Sequence, residues 1–495
     1  MNALLTLPFA LPLLGAGFCV LAWKQRWLQR VVSFAVLATT VALTVALLIR
    51  VDRDGPQATQ LGGWDAPVGI TYVADRTSAL LLVVAHVTLL AVLAYAVGQP
   101  KGHPGPAFHA VYLVLAAGVS AAFLTGDFFH LYVAFELMLA ASFVLLTIGG
   151  RRDQVRAGMT YVVISLVASL LFLLAIAFVY AATGTVNMAE LHVRMAEIDP
   201  GLQQALAVLL LLTFGIKAAL FPLFFWLPDS YPTAPSPVTA LFAGLLTKVA
   251  VYVLIRTQTL FFAPDVRPAT LILVVAGLTM AVGVLGAIAQ GEVKRLLSFH
   301  IVSQIGYMVM GLGFFTVAGL AGAIFFLANQ IVIKTTLFLT GGLVEHAAGS
   351  GRLSRIGGLL HRSPVLAACW LVPALSLAGV PPLSGFAAKL ALVEAGFSAK
   401  EWAVVGVSLA VSLFTLYSMS KVWAGGFWGA VEVDPDGDAH TVSRLGGPPL
   451  MVWPTVAMVA VGLGFAVWAG PIYRFCERAA AGLLDPTAYL QAVLK

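Results

Sequence analysis

The chain has 495 residues, 60% of them hydrophobic and only 10% charged, with a mean hydropathy of +0.96 and a formal net charge of +6. A soluble domain carries about 25% charged residues, so a soluble globular protein is excluded. The basic residues are scattered over short connections rather than gathered in a patch, which excludes a nucleic-acid interface. Cys19, Cys369 and Cys476 form no CxxC pair, and no metal-ligand cluster, Walker loop or dinucleotide fingerprint occurs, so no cofactor, metal or nucleotide is expected.

The expected fold is an all-α polytopic membrane protein embedded in the lipid bilayer. Apolar runs of about 20 residues mark about 14 spans: 4–23, 31–50, 72–97, 108–126, 130–149, 157–182, 203–226, 237–262, 269–289, 294–314, 318–347, 364–397, 402–428 and 450–472. The first run has Lys24, Arg26 and Arg30 after it, whereas a signal peptide has its charges before the apolar core, so it is read as a retained helix. Met188–Ile198 is a short polar piece between spans six and seven.

In chain order, the first ionisable residue that stands out within a span is Glu136, in span five, six residues past His130. A lone glutamate there is protonated or paired with a cation, and Lys217 is the expected partner; a static pair that fixes helix packing is the alternative. Lys217 lies in FGIKAALFPLFFWLPDSYPTAPSPVTALFAGLLTK, which spans Phe214 to Lys248. Pro222 clashes with the carbonyl four residues back, that of Ala218, so the helix is expected to loosen just after Lys217. Pro228, Pro232, Pro235 and Pro237 then force a turn. Lys248 follows 11 residues after Pro237, which is ~16 Å along a helix and near the middle of a ~30 Å hydrocarbon core. An ionisable group at that depth costs ~3 kcal/mol on insertion scales. Snorkelling to an interface is the other fate of such lysines.

Span ten carries His300, which can relay protons between lysines or serve as a hydrogen-bonded packing residue. Lys334 lies deep in span eleven, where Gly341 and Gly342 could loosen the helix behind it, and Glu345 and His346 end that span at an exit or simply in water. Span twelve is interrupted at Pro381-Pro382, which should free the carbonyls of Leu377 and Ala378, and Lys389 follows the break. His86 is expected to pack, Glu394 to be solvated, and Arg151 and Arg152 to anchor topology. Glu136, Lys217, Lys248, Lys334 and Lys389 form the expected series.

Spans four to eight and nine to thirteen read as two five-helix units, each with a lysine near a proline break in its fourth helix. Because five is odd, the second unit enters from the opposite side, giving an inverted repeat with broken helices seven and twelve. The expected organisation is 1–107 for the first three helices, 108–262 and 269–428 for the repeats, and 429–495 for an acidic loop, helix fourteen and a tail. With the N-terminus outside, the cytoplasmic loops hold about 13 basic residues (Lys24, Arg26, Arg30, Lys101, Arg151, Arg152, Arg156, Lys294, Arg295, Arg352, Arg355, Arg362 and Arg444) against about six opposite. Both termini are therefore expected outside. The acidic loop with Glu432, Asp434, Asp436 and Asp438 runs against that pattern, but acids count little in the rule.

The stretches FELMLAASFVLL, GIKAALFPLFFWLPDSYPTAPSPVTALFAGLLTKV, KRLLSFHIVSQIGYM and PPLSGFAAKLALVEAGF resemble the antiporter-like membrane subunits shared by respiratory complex I, membrane-bound hydrogenases and the Mrp (Mnh, Sha) cation/proton antiporters. The ASFVLL ending and a lysine at the span-twelve position are similar to the D-type chain of the Mrp antiporters; the M-type chain of complex I usually has a glutamate there. Gln330 and Phe326 stand where the L-type chain of complex I and the A-type chain of Mrp carry histidines, and the sequence runs only a short way past span fourteen, so the long lateral helix of the L-type chain is not expected. The resemblance implies a central polar axis in which Glu136, Lys217, Lys248, Lys334 and Lys389 match the proton-carrying residues. It also implies a hetero-oligomeric complex in the bacterial plasma membrane that exchanges protons for a monovalent cation such as Na+. The expected function is therefore that of a proton-translocating component of an antiporter, which makes the chain part of a secondary transporter rather than an enzyme. The alternatives are a proton-pumping component of a quinone oxidoreductase or hydrogenase, and a structural scaffold.

Overall fold

The computed structural model describes residues 3–99, 105–429 and 444–494. Lys101 and the acidic residues Glu432, Asp434, Asp436 and Asp438 lie outside the described residues. Thirteen helices among the described residues are long and apolar enough to cross a membrane: Ala3–Leu21, Arg26–Asp54, Arg76–Val97, Ala107–Leu124, Phe128–Thr147, Arg152–Thr183, Pro200–Ala218, Ser236–Leu260, Ala269–Ile288, Val293–Gly313, Val317–Ala348, Trp402–Trp428 and Pro449–Val467. Two shorter helices, Pro364–Ala378 and Ser384–Ser398, together form the broken span twelve and complete the fourteen expected from the sequence.

Local chemistry sets the helix starts. Asp75 caps span three in a capping box with Ser78, Asp127 accepts the His130 N–H to start span five, and Thr316 starts span eleven. Asp199 caps span seven, with Pro200 at the first helical position. Spans eight, ten and eleven are almost wholly buried and form the centre, whereas spans two, six and fourteen bury a third of their apolar stretch or less and present the rest outward. Apolar contact alone does not drive helices together in lipid, so close backbone packing matters. A Cβ on Gly283 would lie 2.4 Å from the Ser303 nitrogen, and one on Gly306 would lie 2.5 Å from Met280 Cγ, so spans nine and ten pack backbone to backbone.

The structure differs from the sequence expectation in three places. Residues 72–74, expected as the start of span three, belong to strand β2 (Thr71–Ala74), which pairs antiparallel with β1 (Gln57–Gln60) in the register Gln57↔Ala74. This hairpin lies at the end of the bundle where Asp127 bridges Asn187, and that end is called the hairpin face below. Span fourteen ends at Val467 rather than 472, because Trp468 leaves helical geometry; the chain continues as an amphipathic helix, Ala469–Leu484, and a short helix, Thr487–Val493. The amphipathic helix packs across spans three, eight and eleven. Gly341 and Gly342 do not loosen span eleven, which is helical from Val317 to Ala348. A Cβ on Gly342 would lie 2.5 Å from the Tyr95 hydroxyl and 2.6 Å from Ser236 Cβ, so close packing against span eight accounts for that glycine.

Candidate functional site

Helix seven ends one residue past Lys217. Ala219 adopts a left-handed conformation (φ 61°), and the chain runs irregularly to Trp226. The carbonyls left over find new donors: Ile216 O accepts the Trp226 indole N–H at 3.1 Å and Gly215 O accepts the Leu220 N–H at 2.9 Å. The break therefore leaves these carbonyls satisfied and holds the Lys217 side chain at a helix end. Its Nζ donates to Ser169 Oγ at 3.1 Å and lies 4.9 Å from the centre of the Phe135 ring. Glu136 follows Phe135 in span five. Its charge reaches Lys217, but no ion pair within 4 Å forms, and Glu136 Oε1 has no hydrogen-bond partner. A cavity of about 30 Å³ lined by Phe135, Tyr161, Ser165, Lys217, Trp226 and Tyr231 adjoins the lysine, enough for water.

Lys248 is buried in span eight directly after a π-helical segment, Phe242–Leu246. The wider turn aims the Ala243 carbonyl at the lysine five residues on, and Lys248 Nζ donates to it and to Thr247 Oγ1 at 3.4 Å. Lys389 sits beyond the second break. Gly379, with φ 89°, ends the first half of span twelve, and the Ala378 carbonyl left there accepts Lys389 Nζ at 3.1 Å. A Cβ at Gly379 would stand 3.0 Å from Lys389 Cδ, so the glycine makes room for the side chain as well as the turn. Lys389 Nζ also donates to Ser412 Oγ at 3.1 Å and lies 4.8 Å from the centre of the Tyr307 ring, whose hydroxyl hydrogen-bonds Ser412 at 2.8 Å.

Between these two lysines, Lys334 is fully buried and its Nζ has no hydrogen-bond partner among the described residues. It lies within electrostatic reach of Lys248 and Lys389. His300 lies within reach of Lys334 and Lys389; its Nε2 hydrogen-bonds Ser418 Oγ at 2.9 Å, while its Nδ1 is unpartnered. The side-chain amides of Gln304, Asn329 and Gln330, also buried on spans ten and eleven, have no partners either. A buried polar atom without a partner costs ~1–3 kcal/mol, so this cluster on two adjacent helices is where hydration or side-chain rearrangement would gain the most. Lys217, Lys248 and Lys389 each donate to a hydroxyl or carbonyl, so any transfer along the series passes through intervening groups or water.

Two polar features escaped the sequence reading. Lys294, counted as a loop charge, forms an ion pair with Glu345 at 2.7 Å, and Glu345 also accepts Ser236 Oγ at 3.1 Å. This pair borders a polar vestibule of about 440 Å³ lined by Arg151, Asp153, Asp229, Lys294, Arg295 and Glu345. Arg256, buried in span eight, pairs with Asp75. The signal for Arg256 was present: Lys248, Tyr252 and Arg256 repeat every four residues on one face. His86 packs, with both ring nitrogens bonded to Leu82 O and Ser120 Oγ, and Glu394 is exposed.

The family model for the NADH:quinone oxidoreductase/Mrp antiporter transmembrane region matches residues 125–415. The chain is 42% identical to the D-type chain of the Na(+)/H(+) antiporter of Alkalihalophilus pseudofirmus over 498 residues covering all of both chains. It is 37% identical to the D-type chain of the Na(+)/H(+) antiporter of Bacillus subtilis over 500 residues, again covering both whole chains. In the structure of the Mrp complex from Dietzia sp. DQ12-45-1b, one chain superposes with a TM-score of 0.93 at 36% identity over the full length of both. The chain belongs to the NADH:quinone oxidoreductase/Mrp antiporter family of membrane proteins, in its group of Na+/H+ antiporter D-type chains.

Proposed function

We propose that the chain is the proton-translocating subunit of a multi-subunit monovalent cation (Na+)/proton antiporter, part of a secondary transporter and without redox chemistry of its own. Glu136, Lys217, Lys248, Lys334 and Lys389 carry the protons, with His300 as a relay. The observation that carries this reading is where the lysines sit: Lys217 and Lys389 at helix breaks and Lys248 just after a π-turn, each bonded to a hydroxyl or a backbone carbonyl rather than to an acid. Irregular backbone at membrane depth is tolerated where protein or water surrounds it, and ionisable side chains there mark ion pathways. The relatives named as D-type antiporter chains, and the Mrp complex that holds a similar chain, extend the reading to an assembly with other subunits.

The test is cation-dependent proton flux in vesicles containing the whole complex. Lys389→Ala is expected to lower it roughly 100-fold or more, the scale on which a positioned proton-transfer group acts, with the complex still assembled. Normal flux would point to a scaffold instead.

The same reading takes 108–262 and 269–428 as inverted repeats and places the chain in the bacterial plasma membrane with both termini outside. The excess of basic residues in alternate loops supports that orientation, and the vestibule, with Arg151, Lys294 and Arg295 in its wall, then opens to the cytoplasm. Ser350, which lines the vestibule, provides a test: Ser350→Cys should react with a membrane-impermeant thiol reagent only from the cytoplasmic side. Labelling from outside alone would overturn the orientation.

A further inference from the structure

The buried ion pair on span eight lies between Lys248 and the hairpin face, and nothing in the series above uses it. Tyr252 and Arg256 continue the face of Lys248 at intervals of one turn. The Tyr252 hydroxyl donates to Phe123 O at 3.2 Å and accepts Arg256 Nη2 at 3.3 Å. Arg256 donates through the same nitrogen to Asp75 Oδ2. Asp75 is the N-cap of span three, and its other oxygen accepts the Ser78 N–H at 2.9 Å. The guanidinium is held between two rings, 5.5 Å from the centre of Tyr252 and 5.3 Å from that of Tyr489. Tyr489 comes from the short C-terminal helix Thr487–Val493 and is itself buried. Burial pushes its phenol up, so the ring stays neutral over the cation. Beyond Asp75 and Tyr489 lies a cavity of about 60 Å³, lined also by Arg76, Arg478, Asp485 and by Pro56, the residue before strand β1 of the hairpin.

An anchor for the C-terminus would need none of this. Asp75 caps span three without a guanidinium, and apolar residues would join span eight to Tyr489 without taking an arginine and a carboxylate out of water. The pair instead stands between a hydroxyl on the Lys248 side and a polar cavity on the other.

We propose that the Asp75–Arg256 pair, roofed by Tyr489, is the gate through which protons pass between Lys248 and the hairpin face. The proposal rests on Lys248 being a proton carrier. A proton leaving the Lys248 ammonium, which becomes the amine, travels through water to the Tyr252 hydroxyl, which turns its own proton from Phe123 O towards Asp75, passes it on and keeps the incoming one on its oxygen. It reaches the Asp75 carboxylate, which becomes a neutral acid. Arg256 keeps its charge, loses its counter-ion, and is held by the faces of Tyr252 and Tyr489. Asp75 then releases the proton to the cavity, and the pair closes again. Transfer in the opposite direction reverses these steps.

The experiment uses the whole complex in vesicles, with assembly checked for each variant. Asp75→Asn keeps a good N-cap residue and removes the charge, and is expected to lower antiport at least tenfold. Tyr489→Ala removes the roof and is expected to let an imposed pH gradient collapse faster in the absence of the transported cation. Antiport at the wild-type rate in Asp75→Asn overturns the gate, and a proton-tight Tyr489→Ala removes Tyr489 as its roof. Lys248→Ala in the same assay separates the two ideas: if it is inactive while Asp75→Asn is normal, only the gate fails, and if it transports normally, the carrier role of Lys248 fails first.

Discussion

Lys248→Ala is expected to bring cation-driven proton flux down to the background of empty vesicles, while the complex assembles at wild-type levels. The two halves of this result have separate physical grounds. Lys248 is fully enclosed, and its ammonium is held only by one backbone carbonyl and one hydroxyl. No carboxylate among the described residues pairs with it, so removing the amine leaves no buried counter-charge unpaired, and a buried ion without a partner is the usual reason such a variant fails to fold. What is lost is the proton-binding atom between the Lys217 region and Lys334, which lies within electrostatic reach of Lys248. Its loss is expected to lower flux roughly 100-fold or more, as for other positioned proton-transfer groups. Lys248→Met controls for the cavity that alanine leaves, because it restores volume without an ionisable atom. It should be as inactive as Lys248→Ala. Substantial flux in Lys248→Met would remove Lys248 from the path and leave it a packing residue.

The spans were legible because a bilayer imposes one length on every crossing helix, and the apolar runs from Leu4 to span fourteen keep that length. The two breaks were legible because Pro222 and Pro381-Pro382 cannot continue a helix, and the structure ends the helices at Ala218 and Ala378. The carbonyl of Ala378, expected to be freed by the break, accepts Lys389. The π-turn beside Lys248 was not legible, since no proline or glycine pair marks Phe242–Leu246. Its wider turn coincides with the close approach of Gly244 to Thr335, a contact between helices distant in sequence. The hairpin was hidden because Thr71–Ala74 is apolar and runs into span three. The four-residue spacing of Lys248, Tyr252 and Arg256 was visible in the sequence, but that Arg256 is buried against Asp75 became clear only with the burial of span eight. The partnerless amides of Gln304, Asn329 and Gln330 were visible as letters, but whether they bonded one another was a matter of geometry alone.

The second large effect is expected at the Glu136–Lys217 pair. We propose that the pair is a switch, and the structure holds it open. Lys217 is turned to Ser169, while Glu136 Oε1 has no partner and no ion pair within 4 Å joins the two. An anionic carboxylate brought within about 4–6 Å of a lysine favours the charged ammonium. When the pair closes, Lys217 therefore takes up a proton. When it opens, the ammonium is left in low-dielectric surroundings with a hydroxyl and a ring face for company, and it gives the proton up towards Lys248. The helix end at Ala218 leaves Lys217 free of the following helical turn, which gives its side chain room to move between the two arrangements. Glu136→Gln keeps size and packing but cannot draw the lysine into its charged form, and proton flux should fall roughly 100-fold or more. Glu136→Asp keeps the charge with a shorter reach and should retain part of the activity. The double variant Glu136→Gln/Lys217→Ala should be little worse than the worse of the two single variants, because residues that act as one unit are strongly non-additive. Each is measured as cation-dependent proton flux in vesicles containing the whole complex, with expression verified. If Glu136→Gln transports at the wild-type rate, the carboxylate plays no part in recharging Lys217. If instead the double variant loses the product of the two single effects, the residues act separately, and the direction of transfer is set elsewhere along the series.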